Sequence, residues 1–536
     1  MNRRGFLRAA AFAAASGLSG LSFVEAATTP SPSENYDAIV VGAGLGGLCC
    51  AAHLAKAGHR TLLLEQHYRL GGYATSFARR DGNGREFACE ASLHASALDT
   101  PGARSMLEAL GVWDDIALVP HPHAWAARFP GFSLDIPAKA GLGGFERQLA
   151  ALFPGQAEGL GRYFALWRAV MDETAGLGGD GRDFPRRFPH LWAIRDKTVA
   201  QVLEPFVQDP RLRAVLTQSC GYYGLPPSRL SAFFYLVPTG QYLESGGYYV
   251  RGTSQALSDA LGDAIAAGGG EVRLRTRVAS ILTRNGRAVG VRTADGREAY
   301  ARAVALGSCA PAAFDGLLPP GGTAEGERQK MARLAPSPGS VIVWLGLDRD
   351  VTKVLGEPEL SVYPSLDMEA NFAASMACDF ERASFSMMLY DNLVPGFSPP
   401  GCSTVCLVCL CGYEHWRPFE ADYLAGRKAA YVAEKRRLAD ILIRRAEEAV
   451  LPGLSARIVM REAATPLTNR RFTGNARGAI YGFAPTPDNA FLSRLPSATT
   501  VPGLFLASAW GSPGGGYTGA LMAGRQAYQA MGELLV

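Results

Sequence analysis

The pattern of apolar and polar residues predicts a strand–helix–strand unit near the start of the chain. An apolar run over 37–41 leads into a glycine-rich turn, a helical segment covers 45–57, and a second apolar run occupies 60–65. Short apolar runs bounded by turn residues are typical of buried strands. A β-α-β unit is therefore expected directly after the Pro/Ser-rich segment TTPSPSEN.

Later segments alternate between helical and strand-like patterns. A helix over 254–267 is stopped by glycines, and Asn-Gly and Asp-Gly pairs at 285–286 and 295–296 are hairpin signals between three predicted strands. Short strands dominate 340–413, and a long amphipathic helix follows over 429–450. The chain closes with a strand, a glycine-rich loop and a helix. These patterns predict an α/β protein with a Rossmann-type domain.

Composition and charge narrow the function classes. The 536 residues exceed what one hydrophobic core supports, so two interleaved domains are expected. An apolar fraction of 48% and a charged fraction of 19% describe a foldable protein. Of the net charge of +4, the first residues contribute +2, which leaves a near-neutral body without an aromatic-interleaved basic patch. No nucleic-acid partner is expected.

The N-terminus has the layout of a twin-arginine export signal. Arg3 and Arg4 precede a weakly apolar Ala/Gly/Ser-rich run, and Val24-x-Ala26 is a cleavage site of the usual type. Residues 1–26 are therefore predicted to be a signal peptide, followed by a linker over 27–35. The expected location is periplasmic or otherwise extracytoplasmic, with membrane association as a further prediction. An ordinary basic N-terminus or a general secretory signal is the alternative.

The ten cysteines are densest at 402–411, in CSTVCLVCLC. Spacings of the C-x-x-C type occur in zinc sites, but no second pair completes a ligand set. The same run has strand character, and side chains of a strand alternate between faces. Cys409 and Cys411 are then expected on one face and Cys406 on the other, and no metal site is predicted.

Gly42, Gly44 and Gly47 form a G-x-G-x-x-G motif between the first predicted strand and the helix. The first glycine permits a tight turn, the second permits close approach of a pyrophosphate, and the third lets the helix pack on the strand. Glu65 ends the second strand, where a carboxylate can bind ribose hydroxyls. The helix N-terminus supplies free N–H groups for phosphate. The motif predicts dinucleotide binding.

The sequence after Glu65 favours FAD over a nicotinamide cofactor. Gly71 and Gly72 follow within a few residues and permit close backbone approach to something large. No second G-x-G-x-x-G motif is present for a separate nicotinamide domain. A single bound dinucleotide that is itself the redox centre is FAD.

Three segments carry a resemblance to a known family. VVGAGLGGLCCAAHLAKAGHRTLLLEQHYRLGGYATSF, GGYYVRGTSQALSDALGDAIAAGGGEVRLRTRV and the segment from LTNRRFTGNARGAIYGF to GGGYTGALMAGRQA resemble the phytoene desaturase-like flavoproteins. Within that family, the resemblance is to the branch of carotenoid cis–trans isomerases and all-trans-retinol saturases. It implies a Rossmann-type FAD-binding domain interleaved with an α+β substrate domain of the amine oxidase/phytoene desaturase type.

The resemblance also implies roles for individual residues. The glycines of the motif would contact the pyrophosphate, Glu65 the adenosine ribose, and the Val278 backbone the adenine. Gln66 and Ala509 are further cofactor-binding candidates. Gly72 and Tyr73 would lie near the flavin, and Gly516, Tyr517 and Thr518 would open a helix aimed at the flavin ring. A glycine-rich helix start with packing duties alone is the alternative for that loop.

Two departures from the family pattern are visible. Ser508-Ala509 stands where many relatives of the wider superfamily have Gly-Asp, so an acid contact to FAD is absent there. Glu90, Ser92 and His94 echo a D-x-G-x-H pattern near the first motif. His94 is the candidate catalytic residue, as a proton shuttle at the flavin. A hydrogen-bonded structural histidine is the alternative.

The predicted substrate class comes from the aromatic stretch over 221–249 together with the resemblance. Such a stretch lines a hydrophobic tunnel, contacts a membrane surface or forms ordinary core. The resulting prediction is an FAD-dependent oxidoreductase that desaturates, saturates or isomerises C=C/CH–CH bonds of a polyene or isoprenoid. An amine oxidase-like enzyme and a non-catalytic FAD-bearing lipid-binding protein are the alternatives. The predicted FAD-binding domain comprises 36–100, 245–330 and 460–536, and the substrate domain 101–244 and 331–459.

Overall fold

A computed structural model describes residues 34–92, 94–177 and 183–535. The predicted signal peptide lies outside these residues. Within them the strands are β1 (Glu34–Val41), β2 (Thr61–Leu64), β3 (Ser76–Arg80), β4 (Glu86–Glu90), β5 (Leu118–Pro120), β6 (His123–Phe129), β7 (Phe132–Pro137), β8 (Tyr248–Val250), β9 (Glu271–Arg273), β10 (Val278–Arg284), β11 (Arg287–Thr293), β12 (Glu298–Leu306), β13 (Gly339–Leu347), β14 (Glu359–Val362), β15 (Phe385–Leu389), β16 (Ser403–Cys411), β17 (Ile458–Ala464) and β18 (Leu504–Leu506).

The helices of the same residues are α1 (Leu45–Lys56), α2 (Pro101–Leu110), α3 (Gly141–Leu152), α4 (Ala157–Ala175), α5 (Phe184–Arg187), α6 (Pro189–Ile194), α7 (Val199–Leu203), α8 (Pro210–Thr217), α9 (Ala232–Ser245), α10 (Ser254–Ala267), α11 (Ala310–Gly316), α12 (Glu325–Ala332), α13 (Met368–Met376), α14 (Glu420–Leu424), α15 (Ala429–Ala449), α16 (Pro466–Thr473) and α17 (Tyr517–Leu535). The predicted β-α-β unit, the two hairpin turns, the amphipathic helix and the closing strand and helix are confirmed.

The first sheet carries the glycine turn. Its strand order is β10-β11-β12-β1-β2-β9, with β18 beside β12. β1 runs parallel to both β2 and β12, as a β-α-β crossover requires. One edge of β12 is shared, because residues 298–300 pair with β11 and residues 304–306 pair with β18. Apolar residues of α1, α10 and α17 cover one face, and those of α11 and α12 the other.

The second sheet has the order β17-β13-β16-β15-β14-β6-β7. Its strand β16 confirms the predicted alternation of cysteines. Cys409 and Cys411 are buried in the core beneath α15, whereas Cys406 packs into the core on the opposite face. That opposite face is turned toward the first sheet and forms the floor of a cavity.

Helices α3, α4 and α6–α9 form a third layer around an aromatic core. The stretch over 221–249 divides its residues between two roles. Tyr235, Leu236 and Leu243 are buried in this core, whereas Tyr222 and Tyr242 line the cavity. Some residues of this stretch therefore form ordinary core, as one interpretation predicted, and others line the cavity, as the tunnel interpretation predicted.

Three properties bear on the predicted class of protein. All ten cysteines are buried and none forms a disulfide. Among the described residues, no group of histidine, cysteine and acidic side chains has the arrangement of a metal site. The helices of this part of the chain include none with the length and apolar character needed to cross a bilayer. The proposed domain boundaries stay a prediction.

Candidate active site

A large cavity of about 1550 Å³ runs from the glycine turn of the first sheet to the floor formed by the second. Pockets for one small ligand are typically about 300–1,000 Å³. The cavity therefore has room for a dinucleotide and a second molecule. All predicted FAD-binding residues except Gly47 line it, as does His94.

The glycine turn is closed against its own backbone. A Cβ on Gly47 would lie 2.0 Å from the carbonyl oxygen of Gly42, so Gly47 holds α1 against the turn as predicted. Gly42 has a φ of +101°, in the region that favours glycine. Gly44 is the N-cap residue of α1 and offers no side-chain cap, which leaves the first N–H groups of the helix free to bind phosphate.

Glu65 is held at the end of β2 by backbone donors. Its carboxylate accepts hydrogen bonds of 2.7 Å from the N–H of Ala43 and 2.7 Å from the N–H of His67. A carboxylate has about four acceptor positions, so capacity for ribose hydroxyls remains. Val278 begins β10 and lines the cavity beside it, and Gln66 is exposed at the cavity edge.

The extension after Glu65 folds directly over the glycine turn. Gly71 pairs with Gly44, and its N–H donates to the carbonyl of Ala43 at 2.8 Å. Gly72 has a φ of +61°, and a Cβ there would lie 3.2 Å from Cα of Gly44. Tyr73 is anchored by a 3.0 Å hydrogen bond from its hydroxyl to the carbonyl of Ala479. The two glycine-rich segments thus form one cradle.

The C-terminal loop closes the other side of the cavity. Gly516 has a φ of +81° with open space where a Cβ would lie, and α17 begins at Tyr517. The Tyr517 hydroxyl bonds Ser92 at 2.9 Å. The Thr518 hydroxyl is buried without a hydrogen-bond partner, and Ala509 lines the cavity nearby in sequence.

These observations fit FAD. The backbone segments of the cradle lie too close together to leave room for side chains between them, as a pyrophosphate site requires. Three buried hydroxyls at the cavity, those of Ser308, Ser508 and Thr518, lack hydrogen-bond partners. Buried polar groups are normally satisfied, and the ribityl and phosphate oxygens of FAD would satisfy them.

Arg494 supports the C-terminal loop of the site, and the sequence patterns did not indicate it. Its guanidinium is buried and donates to the carbonyl oxygens of Gly511 and Ala509 at 2.8 Å each and to that of Asn489. Among the described residues no carboxylate pairs with it, and burial lowers the pKa of Arg494 to about 10. A positive charge therefore lies behind the loop that precedes α17.

The Glu90, Ser92 and His94 pattern divides into two roles. Glu90 is buried, accepts 2.8 Å and 2.5 Å hydrogen bonds from the N–H and hydroxyl of Ser254, and accepts a third bond from Tyr249. It therefore satisfies the N-terminus of α10. Ser92 donates to the carbonyl of Tyr73 at 2.7 Å and so ties this segment to the cradle.

His94 lines the cavity, and its Nδ1 is buried without a partner. Burial, and then the charge of neighbouring His121, lower the pKa of His94 to about 4. The His121 side chain bonds the carbonyl of His94 at 3.0 Å. His94 is thus a neutral imidazole at pH 7 with one nitrogen open to hydrogen bonding.

The far end of the cavity is aromatic and apolar. Its walls come from segments that are distant in the sequence: Trp125, Tyr222, Phe234, Tyr242, Ile342, Val408, Leu410 and Tyr481. One carboxyl group, that of Glu359 in β14, faces this end. Nothing in the local sequence of β14 distinguishes Glu359 from a surface residue, because its surroundings are assembled only by the fold.

The chain matches two family models. Residues 40–110 match the NAD(P)-binding Rossmann-like domain, and residues 193–531 match the flavin containing amine oxidoreductases. Among curated proteins, prolycopene isomerase 1 of an Oncidium hybrid cultivar is 25% identical over 87% of this chain and 78% of that protein. All-trans-retinol 13,14-reductase of Macaca fascicularis is 25% identical over 84% of this chain and 77% of that protein.

Solved structures share the fold. Cyclohexylamine oxidase from Brevibacterium oxydans aligns with a TM-score of 0.59 at 18% identity, covering 93% of this chain and 99% of that chain. Putrescine oxidase bound to putrescine aligns with a TM-score of 0.57 at 16% identity, covering 94% and 99%. These likenesses confirm the predicted combination of a Rossmann-type domain with an amine oxidase-like domain.

Proposed function

We propose that this protein acts on carbon–carbon bonds of a hydrophobic polyene or isoprenoid. The premise is that the chain belongs to the flavin-containing amine oxidoreductase family. Within it, the chain is an FAD-dependent oxidoreductase of the phytoene desaturase, carotenoid isomerase and retinol saturase group. The observation that carries the proposal is the continuous cavity. It joins a backbone cradle for FAD to an aromatic chamber large enough for a second molecule.

The residues of the cradle have binding roles in this proposal. Gly42, Gly44 and the N-terminus of α1 hold the pyrophosphate, with Gly47 keeping the helix in place. Glu65, Gln66 and Val278 hold the adenosine part, while Gly72, Tyr73, Ala509, Gly516, Tyr517 and Thr518 surround the flavin end. FAD, when bound, supplies hydride exchange with a carbon atom of the substrate.

The apolar chamber positions the substrate and excludes water from the reacting carbons. His94 is proposed to hold or move a proton at its Nδ1, which is buried at the cavity and unpartnered. A neutral imidazole can accept a proton or donate a hydrogen bond according to its tautomer. The direction of the net reaction, and the electron acceptor or donor, depend on chemistry outside these residues.

Export by the twin-arginine route and contact with a membrane surface are also part of the proposal. The predicted export signal supports an extracytoplasmic location. Leu177 and Leu492 line the cavity and are 39% and 63% exposed, and Trp192 is 37% exposed. Exposed apolar side chains at the opening of an apolar cavity are typical of enzymes that take substrates from lipid.

The test is an anaerobic titration of the purified, FAD-loaded protein. Retinoids, carotenoids and amines are added separately to the oxidised and to the dithionite-reduced protein, while the visible absorption of the flavin and the products are recorded. A polyene that bleaches the oxidised flavin, reoxidises the reduced flavin or changes its double-bond geometry supports the proposal.

Other outcomes contradict it. Bleaching by amines alone assigns the amine oxidase alternative, and a flavin that responds to no compound, with no change in any compound, assigns the non-catalytic lipid-binding alternative. A protein that shows no flavin spectrum even after reconstitution contradicts the proposal and both alternatives.

A further inference from the structure

Glu359 is a carboxyl group on the floor of the apolar chamber. It begins β14, whose side chains alternate between two environments. Glu359, Ser361 and, just beyond the strand, Tyr363 line the cavity, whereas Leu360 and Val362 are buried in the core beneath the sheet. The strand register thus fixes the carboxyl group toward the cavity.

No hydrogen bond or ion pair joins the Glu359 side chain to any residue that the structure describes. Burial raises the pKa of Glu359 to about 7. The nearest acidic residue in the sequence, Glu357, is already matched by His123 at 2.6 Å. The hydroxyls of Ser361 and Ser386, on the same floor, bond each other at 2.8 Å. Glu359 therefore lines the cavity without a hydrogen-bond or ion-pair partner among the described residues.

Aromatic rings surround this carboxyl group. Burial, and then the charge of Glu359, raise the pKa of Tyr242 well above its usual value, and the same two causes raise the pKa of Tyr481. Both rings line the cavity, and Trp125 is stacked beside Tyr242. A carboxyl group desolvated among such rings costs free energy unless a ligand satisfies it.

We propose that Glu359 binds a hydroxyl group at one end of an otherwise apolar substrate. This inference rests on the proposed function and narrows its substrate class to isoprenoid or polyene alcohols. A hydroxyl group is both donor and acceptor, so it satisfies the carboxyl group in either protonation state. An ammonium group would need the ionised carboxylate and would pay its own desolvation in this apolar chamber.

The test compares two probes that differ in one hydrogen-bond donor: all-trans-retinol and its methyl ether. Dissociation constants are measured with the FAD-loaded protein by quenching of tryptophan fluorescence, which Trp125 in the cavity wall makes sensitive to occupancy. The wild type is expected to bind the alcohol at least about tenfold more tightly than the ether. Glu359→Leu removes this preference, Glu359→Gln keeps part of it, and Glu357→Gln, the matched control, keeps all of it.

Several outcomes would overturn the inference. Equal affinity of the wild type for alcohol and ether, or an unchanged preference in Glu359→Leu, contradicts it while the proposed function stands. Tighter binding of retinylamine, lost in Glu359→Leu, would assign an ammonium site instead. Failure of both probes and of other polyenes to bind would overturn the proposed function itself. If the leucine variant does not retain FAD, Glu359→Met replaces it.

Discussion

The carboxyl groups of Glu90 and Glu359 differ in the partners that the fold provides for them. Glu90, beside the cradle, is buried with donors from Ser254 and Tyr249 and completes the N-terminus of α10. Glu359, at the apolar end, faces the cavity with no partner among the described residues. The first carboxylate stabilises the structure, and the second is retained at a cost to stability. A group retained at such a cost is better explained by ligand binding than by folding.

The same contrast extends to the two ends of the cavity. The cradle consists mainly of backbone, held by glycines and by short-range hydrogen bonds. The apolar chamber consists of side chains from strands and helices that are far apart in the sequence. Substitutions are therefore expected to act differently at each end, and four predictions test this.

The largest effect on FAD binding is expected from Gly47→Ala in the cradle. The added Cβ would lie 2.0 Å from the Gly42 carbonyl oxygen, so α1 must move away from the turn. FAD occupancy should fall more than about tenfold, equivalent to at least about 1.4 kcal/mol. The measurement is flavin absorbance per protein. Gly532→Ala in α17, where a Cβ meets open space, is the control, and equal occupancy in the two variants would contradict the rigid cradle.

Glu90→Leu should lower the free energy of unfolding by about 3 kcal/mol or more. The substitution leaves the N–H and hydroxyl of Ser254 and the hydroxyl of Tyr249 without their acceptor. Thermal unfolding of the FAD-loaded protein measures the loss, with exposed Glu86→Gln in the same strand as control. The same change at Glu359 should be neutral or stabilising. Equal losses at both positions would remove the contrast between them.

The pH dependence of stability should separate wild type from Glu359→Gln. The ordinary pKa of this carboxyl group is 4.5 and burial raises it to about 7. The protonated Glu359 carboxyl group contributes up to about 3 kcal/mol to the free energy of unfolding, and this contribution is fully present below pH 4.5. It is lost as the pH rises through about 7. The Tm of the wild type should therefore fall relative to the variant between pH 4.5 and 8. Parallel curves would refute the assigned environment.

The smallest effect is expected at Trp344, which joins the two regions. Its indole N–H donates to the carbonyl of Glu90 at 2.7 Å, while its ring lines the cavity. Trp344→Phe keeps the ring contact with Phe77 and removes one hydrogen bond, at a cost of about 1 kcal/mol. Flavin absorbance should not change. A loss of FAD would show that the two ends are coupled more strongly than this single bond suggests.

The cradle could be predicted from the sequence because its chemistry follows from local spacing. Gly42, Gly44 and Gly47 stand at fixed offsets between β1 and α1, and Glu65 ends β2, so motif and position coincide. The hairpins at 285–286 and 295–296 were predictable for the same reason, since turn residues act over two positions.

The apolar end could not be predicted to the same depth. Glu359, Tyr242 and Tyr481 line the same cavity only because three segments that are distant in the sequence converge there. Arg494 is ordinary in its local sequence, and two of the three carbonyl oxygens that it contacts, those of Ala509 and Gly511, lie in the loop over 508–516. His94 was found through a family pattern, whereas its neighbour His121 had no signal. Side-chain environments of this kind depend on tertiary packing rather than on local spacing.

The shared edge of β12 has a consequence for biosynthesis. The segment that fills its second half, β18, is far from β12 in the sequence, and α17 then packs against α1 through Gly524 and Gly46. The sheet that binds the cofactor therefore joins strands that are far apart in the sequence, and such long-range pairing forms slowly. During translation the β-α-β unit must therefore wait until residues 504–535 have left the ribosome, so FAD can be enclosed only after that segment has been made.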